Sequence, residues 1–449
     1  MKKSPLPHRA TSAKRIRPVK AWVVSADMGY GHQRAVFPLK DIAEEGLITA
    51  GRNDDSTEKE KKQWARLLTV YEAFSRARSI PLIGKPIFSL LDTLLHIPSF
   101  YPIRNLSHST YQVDLLESNI RNGLCTGLLA KVAKKQLPLV TSFYAPAIAA
   151  DIKGYEPVYC IICDADINRV WVAKQAWESR IVYFAPCGKA AQRLRSYGVP
   201  EERIHLTGFP LPLDLLGRNL SVLKHDLGQR LHYLDPQRRF WSLHARSAEH
   251  FLGRANCRPK RERQLTITYA VGGAGAQRDI GERIAVSLRH RLYRGDIRLN
   301  LVAGVRDDVR AHFEELRQRL GTPNITVIHG ATLHEYFQRF NEAMRTTDIL
   351  WTKPSELSFY AGLGIPVIMT PAIGSQERFN RQWLFEIHAG MRQENPDYTD
   401  QWLFDLLDNG TIADMAWSGF LKARKLGTEK IIEVLRTGTM TRSSSPLER

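Results

Sequence analysis

The chain has few cysteines and no hydrophobic run long enough to cross a bilayer. Its five cysteines, an odd number spread over 449 residues, argue against a disulfide scaffold and for a reducing compartment. The basic first twenty residues lead into no apolar segment of the secretory kind. A membrane-spanning helix needs roughly 20 consecutive apolar residues, and the sequence contains no such run. These absences predict a cytoplasmic protein and leave open its attachment to the inner face of a membrane.

Two of the cysteines, Cys160 and Cys163, have the spacing of a redox or metal-binding pair. They lie inside an apolar, strand-like run from residue 157 to residue 163. Residues three apart on a strand point to opposite faces of its sheet, so the two thiols are not expected to act together. Burial in a hydrophobic core is therefore the predicted role of both.

The formal charge of the sequence is +18, and it is unevenly distributed. Residues 1–20 carry seven basic side chains and no acidic one, while residues 228–264 carry nine basic and three acidic side chains. Such an excess suits an anionic membrane surface, nucleic acid or an acidic substrate, and it equally suits a solvated tail with a charged surface insertion. Aromatic residues are sparse in both stretches, so nucleic acid is the least supported partner.

The length predicts two domains, because 449 residues are too many for one ordinary core. Apolar strand-like runs alternate with helical patterns, which predicts parallel sheets and an α/β fold. The predicted order is a basic, disordered tail (1–20), a Rossmann-like domain (21–212), a basic linker and insertion (213–264), a second Rossmann-like domain (265–410), and C-terminal helices with a tail (411–449).

Three segments of the first domain have less regular patterns. Residues 33–45 have the composition of the helix that follows the first strand, and the charged residues 51–63 predict a surface loop. Residues 70–106 are hydrophobic, but prolines at 81, 86, 98 and 102 divide them into short pieces. That segment either forms a surface that faces an acceptor or a membrane, or packs against the first domain.

A glycine-rich turn at residues 27–32 follows the first predicted strand, residues 20–26, and ends in His32. A histidine in the first turn of a helix can act as a general base or orient an acceptor hydroxyl. The positive end of the helix dipole disfavours the imidazolium, which keeps the ring neutral. The alternative is a structural histidine that caps its own helix.

Two carboxylates, Asp164 and Asp166, follow the strand predicted at residues 158–163. They could serve as a base, as a clamp for an acceptor, as helix caps or as part of a metal site. Two acids without a third ligand nearby are a poor metal signal, so no bound metal is expected.

A glycine-rich loop joins the strand predicted at residues 265–270 to the next helix, and it consists of Gly272, Gly273, Ala274, Gly275 and Ala276. Glycines let the backbone approach an anion, and a helix N-terminus supplies free N–H groups and a positive dipole end. A Walker A loop would continue with Gly-Lys-Ser/Thr, which is missing here. A dinucleotide site would have an acidic residue at a strand end about 20 residues further on, and that residue is missing too. The loop therefore predicts a site for a single nucleoside diphosphate.

Residues 347–384 contain two predicted strands, 348–351 and 366–370, whose carboxyl ends would lie side by side in a parallel sheet. The polar side chains that follow them are Lys353, Glu356, Gln376, Glu377 and Asn380. The carboxylates and amides suit a polyhydroxylated ligand, and the lysine would neutralise a phosphate or support its turn. Ordinary polar loop residues are the alternative.

The order of these motifs resembles glycosyltransferases of the GT-B fold. The resembled group contains monogalactosyldiacylglycerol synthase, the processive diacylglycerol glucosyltransferases and the N-acetylglucosaminyltransferase that makes lipid II. The similarity runs from residue 20 to about residue 390, and the matching positions are Ser25, Ala26, Gly29, Gly31, His32, Asp164, Trp171, 198–210, 272–276, 352–354, 364–366, Gly374, Glu377 and Asn380. The family usually has a histidine where Asn168 stands, and its motifs have no counterpart of residues 228–264.

This resemblance implies two Rossmann-like domains with a cleft between them, and an inverting transferase that needs no metal or cofactor. A nucleotide-sugar, here a UDP-sugar, would bind the C-terminal domain through the 272–276 loop, Lys353, Glu356, Gln376, Glu377 and Asn380. Glu356 is assigned to the ribose by proximity, because the segment that follows Lys353 is shorter than in the family. An acceptor, a membrane lipid in the nearest relatives, would bind at Gly29, Gly31, Asp164 and Trp171, with His32 or Asp166 as the base.

Two other functions are compatible with the same motifs. A nucleotide-sugar epimerase of this fold would need no acceptor. A non-catalytic or nucleic-acid-associated protein of this fold would account for the basic charge. The sequence makes no prediction about the oligomeric state.

Overall fold

The computed structural model describes residues 19–52, 56–77, 97–259, 263–272, 275, 277–372, 374–441, 443, 445 and 447. Within these ranges the chain forms two parallel sheets of six strands each, with helices around them. The predicted fold class, α/β with two Rossmann-like domains, is thereby confirmed. The prediction of a disordered tail falls almost entirely outside the described residues, as does the central part of the hydrophobic segment 70–106.

The N-terminal sheet contains β1 (Ala21–Ala26), β2 (Ala43–Ala50), β3 (Leu139–Thr141), β4 (Val158–Ile161), β5 (Val182–Ala185) and β6 (Ile204–Leu206). Their spatial order is β2-β1-β3-β4-β5-β6, and all pairs are parallel. Central strands such as β1 and β3 are buried on both faces, which explains their uninterrupted apolar runs. The order reverses between β1 and β3, and ligands bind at such switch points, beyond the carboxyl ends of the strands.

The C-terminal sheet repeats this design with β7 (Leu265–Ala270), β8 (Ile297–Gly304), β9 (Ile325–His329), β10 (Ile349–Thr352), β11 (Val367–Met369) and β12 (Gly390–Arg392). The order is β12-β11-β10-β7-β8-β9, again all parallel. Its switch point lies between β7 and β10. The glycine-rich loop follows β7, and Lys353 follows β10, so the topology brings these two segments to the same crevice.

Helices connect the strands on both sides of each sheet. In the N-terminal half they are α1 (Tyr30–Val36), α2 (Glu58–Ala77), α3 (Tyr111–Arg121), α4 (Thr126–Val132), α5 (Tyr144–Ile152) and α6 (Gly188–Ser196). The segment between the sheets contains α7 (Leu213–Leu216), α8 (Ser221–Tyr233) and α9 (Arg239–Leu252). The C-terminal half contains α10 (Arg278–Ser287), α11 (Arg289–Arg294), α12 (Asp307–Leu320), α13 (Leu333–Met344), α14 (Ser375–Glu386), α15 (Thr399–Asp408), α16 (Thr411–Lys422) and α17 (Gly427–Thr437). None of the helices in the described ranges is both long and apolar enough to cross a bilayer.

The prediction of one helix over residues 33–45 is wrong beyond residue 36. Helix α1 ends at Val36, a 3-10 helix with Pro38 in its first turn covers Phe37–Ile42, and the edge strand β2 begins at Ala43. The exposed and half-buried residues of β2 include two glutamates and a glycine, and this polar character concealed the strand. The predicted surface loop of residues 51–63 likewise ends early, because α2 begins at Glu58.

The segment predicted as a basic linker and insertion is helical and packs against the C-terminal domain. Arg230 of α8 is 2% exposed and donates to the carbonyl oxygens of Thr347, at 2.8 Å, and Leu363, at 2.9 Å. Arg263 forms a two-pronged ion pair with Asp348, with both N–O distances at 2.6 Å. Part of the positive charge in this segment therefore holds it to its own protein.

The end of the chain returns to the N-terminal domain. In α17, the Thr428 hydroxyl donates to the carbonyl oxygen of Leu211 at 2.6 Å, and Gly427 lies directly against the backbone of Phe209. All five cysteines are buried and unpaired, Cys160 and Cys163 among them, in agreement with their predicted place in the core.

Candidate functional site at the domain boundary

The turn after β1 brings His32 to the switch point of the N-terminal sheet. Gly29, which precedes α1, has a φ of 94°, a value that only glycine adopts without strain. Two interactions then fix the histidine: the Ser142 hydroxyl, just after β3, donates to the His32 carbonyl oxygen at 2.7 Å, and the His32 ring contacts the Ser142 carbonyl. Ser142, which follows the strand on the other side of the switch point, thus holds both the backbone and the ring of His32.

The contact with Ser142 determines the protonation of the ring. His32 Nδ1 lies 2.6 Å from the Ser142 carbonyl oxygen, which can only accept, so Nδ1 carries the proton and Nε2 has the free lone pair. Burial lowers the pKa of His32, and the Ser142 carbonyl and the charge of Glu356 oppose that shift only in part. Phe143 and Trp171 pack against the imidazole, with ring centroids at 4.9 Å and 6.0 Å. The result is a neutral, oriented imidazole whose Nε2 can accept a proton.

Asp164, which follows β4, lies in the contact between the domains. Its Oδ1 accepts a hydrogen bond from Asn380 Nδ2 of α14 at 2.8 Å, and the N–H of Ala165 donates to Asn380 Oδ1 at 2.7 Å. Asn380 is fully buried, and its amide bridges the two domains through these two hydrogen bonds. Burial raises the pKa of Asp164 to about 6, with a smaller contribution from the nearby charges of Glu356 and Glu377, while the bond from Asn380 acts in the opposite direction.

Lys353 and Glu377 lie together at the switch point of the C-terminal sheet. Their Nζ and Oε1 atoms are 2.9 Å apart, and Glu377 stands in the first turn of α14. The lysine side chain passes over Gly272, where a Cβ atom would come within 2.6 Å of Lys353 Cε. Gly272 is therefore needed for the lysine to lie against the backbone of the loop.

The rest of the glycine-rich loop is described in part. Gly275 has a φ of 73°, whereas Gly273, Ala274 and Ala276 fall outside the described residues. Gln277, just before α10, is bound by the Thr370 hydroxyl at 2.7 Å, which ties the loop to the end of β11. Gln376 is half-buried in the first turn of α14, beside Gly374.

Glu356 is bound to an arginine of the other domain. Arg34 Nε of α1 donates to Glu356 Oε1 at 3.2 Å, and Arg34 Nη2 donates to the Tyr336 hydroxyl at 2.9 Å. The guanidinium carbon also lies 4.4 Å and 4.6 Å from the ring centroids of Phe340 and Phe337. In this arrangement the Glu356 carboxylate, which was expected to bind a ribose, is instead paired with Arg34 across the domain boundary.

Two more residues of the α1 region join this contact. A Cβ atom at Gly31 would lie 3.3 Å from Glu356 Oε2, so the glycine allows the close approach of the carboxylate. The Tyr30 hydroxyl accepts a hydrogen bond from the N–H of Val305 at 3.2 Å, just beyond β8. Sequence reasoning missed both Tyr30 and Arg34. No local signal distinguishes them from surface residues, because their partners lie about 300 residues further along the chain.

Asp166, the second expected candidate for the base, lies in different surroundings. It is fully buried and forms a two-pronged ion pair with Arg193, in which both N–O distances are 2.8 Å. The N–H of Ile167 also donates to Asp166 Oδ1 at 2.8 Å. The structure thus brings His32, Asp164, Lys353, Glu356, Glu377 and Asn380 into one region and places Asp166 in a separate buried ion pair. Across the described ranges, no group of three or more His, Cys, Asp or Glu side chains is arranged to hold a metal ion.

Part of the C-terminal domain matches a known sequence family. A family model described as a domain of unknown function (DUF6938) matches residues 307–427, a range that includes Lys353, Glu356 and Asn380. No curated protein matches the sequence.

The solved structures that are similar to the chain over most of its length include the following three. MnaA of S. aureus, in a co-structure with UDP, is 11% identical, with 93% of this chain and 96% of that chain covered and a TM-score of 0.46. MurG of Acinetobacter baumannii is 12% identical, with 93% and 99% covered and a TM-score of 0.44. The UDP-GlcNAc 2-epimerase of Neisseria meningitidis, bound to UDP-GlcNAc, is 12% identical, with 93% and 99% covered and a TM-score of 0.43. With identities this low, the reaction has to be argued from the side chains of the site.

Proposed function

We propose that the protein is an inverting glycosyltransferase that moves a hexose from a nucleoside-diphosphate sugar, a UDP-sugar, to a hydroxyl of an acceptor. The observation that carries the proposal is the neutral His32 with its Nε2 lone pair free, held at the domain boundary by Ser142. Gly272 of the glycine-rich loop, Lys353 and Glu377 lie together at the switch point of the other sheet. Their backbone, ammonium and carboxylate groups suit a sugar diphosphate.

In the proposed reaction, the acceptor oxygen attacks the anomeric carbon of the hexose while its proton passes to His32 Nε2. The bond between the anomeric carbon and the diphosphate oxygen breaks, and the electron pair leaves with the nucleoside diphosphate. Lys353 and the N-terminal end of α10 stabilise the negative charge that develops on the leaving group. A single displacement of this kind inverts the configuration at the anomeric carbon.

The remaining residues at the domain boundary are proposed to position the two substrates, the hexose of the donor and the acceptor. Glu377 and Gln376 are assigned to the hydroxyls of the hexose, because they follow β11 on the first turn of one helix. Asn380 is assigned to the hexose only in a more open state, since its amide bridges the two domains here. Asp164, Gly29, Gly31 and Trp171 are assigned to the acceptor side. Glu356 binds a ribose only in a more open state, since Arg34 occupies its carboxylate here. A lipid acceptor and a place at the inner membrane face stay predictions.

One observation favours a second function, a nucleotide-sugar epimerase. Burial, with a smaller contribution from the charges of Glu356 and Glu377, raises the pKa of Asp164 to about 6. A carboxyl group with that pKa can both take up and release a proton at neutral pH, as an epimerisation requires.

To test the proposal, the purified protein is incubated with UDP-glucose or UDP-N-acetylglucosamine, with and without a panel of hydroxylated acceptors, and the release of UDP and the formation of an epimer are measured. Release of UDP that depends on an acceptor, and that is lost in His32→Gln, supports the transferase. Conversion of the donor to its epimer without an acceptor, lost in Asp164→Asn, would instead identify an epimerase. No binding of any nucleotide-sugar by calorimetry would overturn both.

A further inference from the structure

The positive charge of the segment between the two sheets is only partly neutralised within the protein. Arg230 and Arg263 of this segment bind the C-terminal domain. Exposed arginines elsewhere, such as Arg283 and Arg317, have carboxylate partners at 2.7 Å. Four exposed arginines in α9 and around its ends have no carboxylate partner among the described residues: Arg238, Arg239, Arg246 and Arg258. The surface around α9 therefore keeps a positive charge that the protein itself does not use.

Helix α9 is fixed to the protein by one face. Phe240 packs against Trp417 of α16, with ring centroids 6.0 Å apart, and Trp241 stacks on His232 of α8 at 4.6 Å. The opposite face is exposed and carries a stripe of side chains at intervals of three or four residues: Arg239, Leu243, Arg246 and His250. Because the helix is anchored by its inner face, this stripe contributes little to the core and is available to a partner.

Leu243 lies in the middle of the exposed stripe, with 78% of its surface exposed. A single exposed leucine is common in soluble proteins and needs no explanation by itself. Here it stands one helical turn from Arg239 on one side and from Arg246 on the other. A flat partner that meets the two arginines therefore meets the leucine as well.

Two carboxylates lie beside the stripe without neutralising it. Glu249, the one acidic residue of α9, is 3.9 Å from Arg254, and Asp414 of α16 is 3.7 Å from His244. Neither carboxylate pairs with the arginines of the stripe. The stripe therefore has a net positive charge around its exposed leucine.

A partner of this surface needs negative charges spread over a broad face, with an apolar layer close to them. An anionic bilayer has both, because its headgroup phosphates attract arginines and its acyl boundary accepts an apolar side chain. Nucleic acid offers the phosphates, but the stripe carries no phenylalanine, tyrosine or tryptophan for stacking on bases. The combination of charge and leucine therefore favours a lipid surface.

We propose that the exposed stripe of α9 docks the protein on an anionic lipid bilayer, with Arg239 and Arg246 at headgroup phosphates and Leu243 at the boundary with the acyl chains. The helix then lies in the plane of the membrane surface. It belongs to residues 228–264, for which the motifs of the resembled glycosyltransferases have no counterpart, and it contributes no residue to the proposed site. The docking surface is therefore independent of the transferase reaction.

The experiment measures cosedimentation of the full-length protein with vesicles of equimolar phosphatidylglycerol and phosphatidylcholine, and with vesicles of phosphatidylcholine alone. Binding to the anionic vesicles only is expected. Each arginine at an anionic surface contributes about fivefold in affinity, so Arg239→Gln with Arg246→Gln should weaken binding about 25-fold. Leu243→Gln should weaken it about fivefold, because a polar side chain replaces the leucine at the interface. The melting temperatures should be unchanged, since all three side chains are exposed.

A matched control is the double variant Arg289→Gln with Arg298→Gln, at two exposed positions of the C-terminal domain. It removes the same charge from the protein at a distance from α9, and a change of less than about twofold is expected because salt screens separated charges. Equal weakening by this control and by the α9 double variant would overturn the proposal. Binding would then follow the net charge of the chain, including that of its basic first twenty residues.

Three further results would also overturn the proposal. The first is no binding of the wild type to the anionic vesicles. The second is unchanged binding by Leu243→Gln, because the phosphates alone would then account for the contact. The third is binding of duplex DNA, measured by fluorescence anisotropy, that is lost in the α9 double variant while vesicle binding is retained. That result would assign the stripe to nucleic acid.

Discussion

Arg34 of the N-terminal domain donates a hydrogen bond to Glu356 of the C-terminal domain, with 3.2 Å between Nε and Oε1. Their side chains are 3% and 9% exposed, so this ion pair is shielded from water on both sides. Since α1 also carries His32, the same contact fixes the distance of the proposed base from the C-terminal domain. Arg34 is accordingly a positioning residue, and Glu356 has one role in the closed arrangement and another, proposed role in donor binding.

Removal of either partner of this pair should destabilise the protein strongly. Arg34→Ala leaves the Glu356 carboxylate buried and unpaired, and we expect a loss of about 3–5 kcal/mol in the free energy of unfolding. The measurement is urea denaturation followed by circular dichroism. The double variant Arg34→Met with Glu356→Gln should recover part of the loss, because no buried charge remains.

A matched control is the exposed pair of Arg195 and Glu201, whose side chains are 47% and 66% exposed. Arg195→Ala should cost less than about 1 kcal/mol, because solvent screens that pair. If Arg34→Ala and Arg195→Ala lowered the free energy of unfolding by the same amount, the contact between the domains would not be a major source of stability.

Activity should persist to a lower pH than an ordinary histidine base allows. A base works in its neutral form, and burial lowers the pKa of His32 below its usual value of about 6.5. The acid-side decline of the rate should therefore lie below about pH 6.5. His32→Gln should reduce turnover by roughly 10²–10⁴-fold with little change in donor affinity. A decline centred above pH 7, or a fully active His32→Gln, would remove the histidine from the mechanism.

A methyl group at Gly272 should weaken nucleotide-sugar binding through Lys353. In Gly272→Ala the new Cβ would meet Lys353 Cε at 2.6 Å, and the flexible lysine can move away at little cost to folding. We expect about tenfold weaker binding of UDP or UDP-sugar, and a similar or larger loss in Lys353→Met, by calorimetry. Gly188→Ala is the control, because a Cβ there meets no atom within 4 Å. Unchanged affinity in both variants would argue that the loop does not hold the diphosphate.

Asp164→Asn should change stability in a pH-dependent way. The folded protein raises the pKa of Asp164 to about 6 from its usual 3.8, so ionisation of this group at neutral pH opposes folding. The asparagine keeps an acceptor for Asn380 and carries no charge. We expect a gain of about 1–3 kcal/mol at pH 8 that shrinks below about pH 6, as the folded-state carboxyl becomes protonated, and is small at pH 4, close to the unfolded pKa of 3.8. Denaturation curves at pH 4, 6 and 8 test this, and a gain independent of pH would refute the explanation.

The sequence was sufficient for the fold where a strand is buried on both faces. Strand β7 has the predicted bounds and β1 differs by one residue, and every residue of both strands is buried. The edge strands β2 and β12 were missed. β2 is partly exposed and contains glutamates and a glycine, and β12 is only three residues long, so neither has a hydrophobic pattern to recognise.

The position of the candidate site could also be predicted, but not its internal partners. The rule that ligands bind beyond the carboxyl ends of parallel strands selected Lys353 and Asn380, and the glycine-rich turn selected His32; the structure places all three near the two switch points. The rule could not show that Arg34 enters an aromatic pocket of the other domain. A single arginine on a short helix has the pattern of a solvent-exposed residue, and its burial depends on rings about 300 residues away.

The return of α17 to the N-terminal domain has a consequence for synthesis on the ribosome. Thr428 meets Leu211 across 217 residues of chain, so this helical neighbour of the domain is translated long after its sixth strand. At about 5–20 residues per second, the delay is roughly 10–40 s. For that interval the nascent domain exposes the surface that α17 later covers. The N-terminal domain with α17 in place is therefore completed only after the second sheet has been translated.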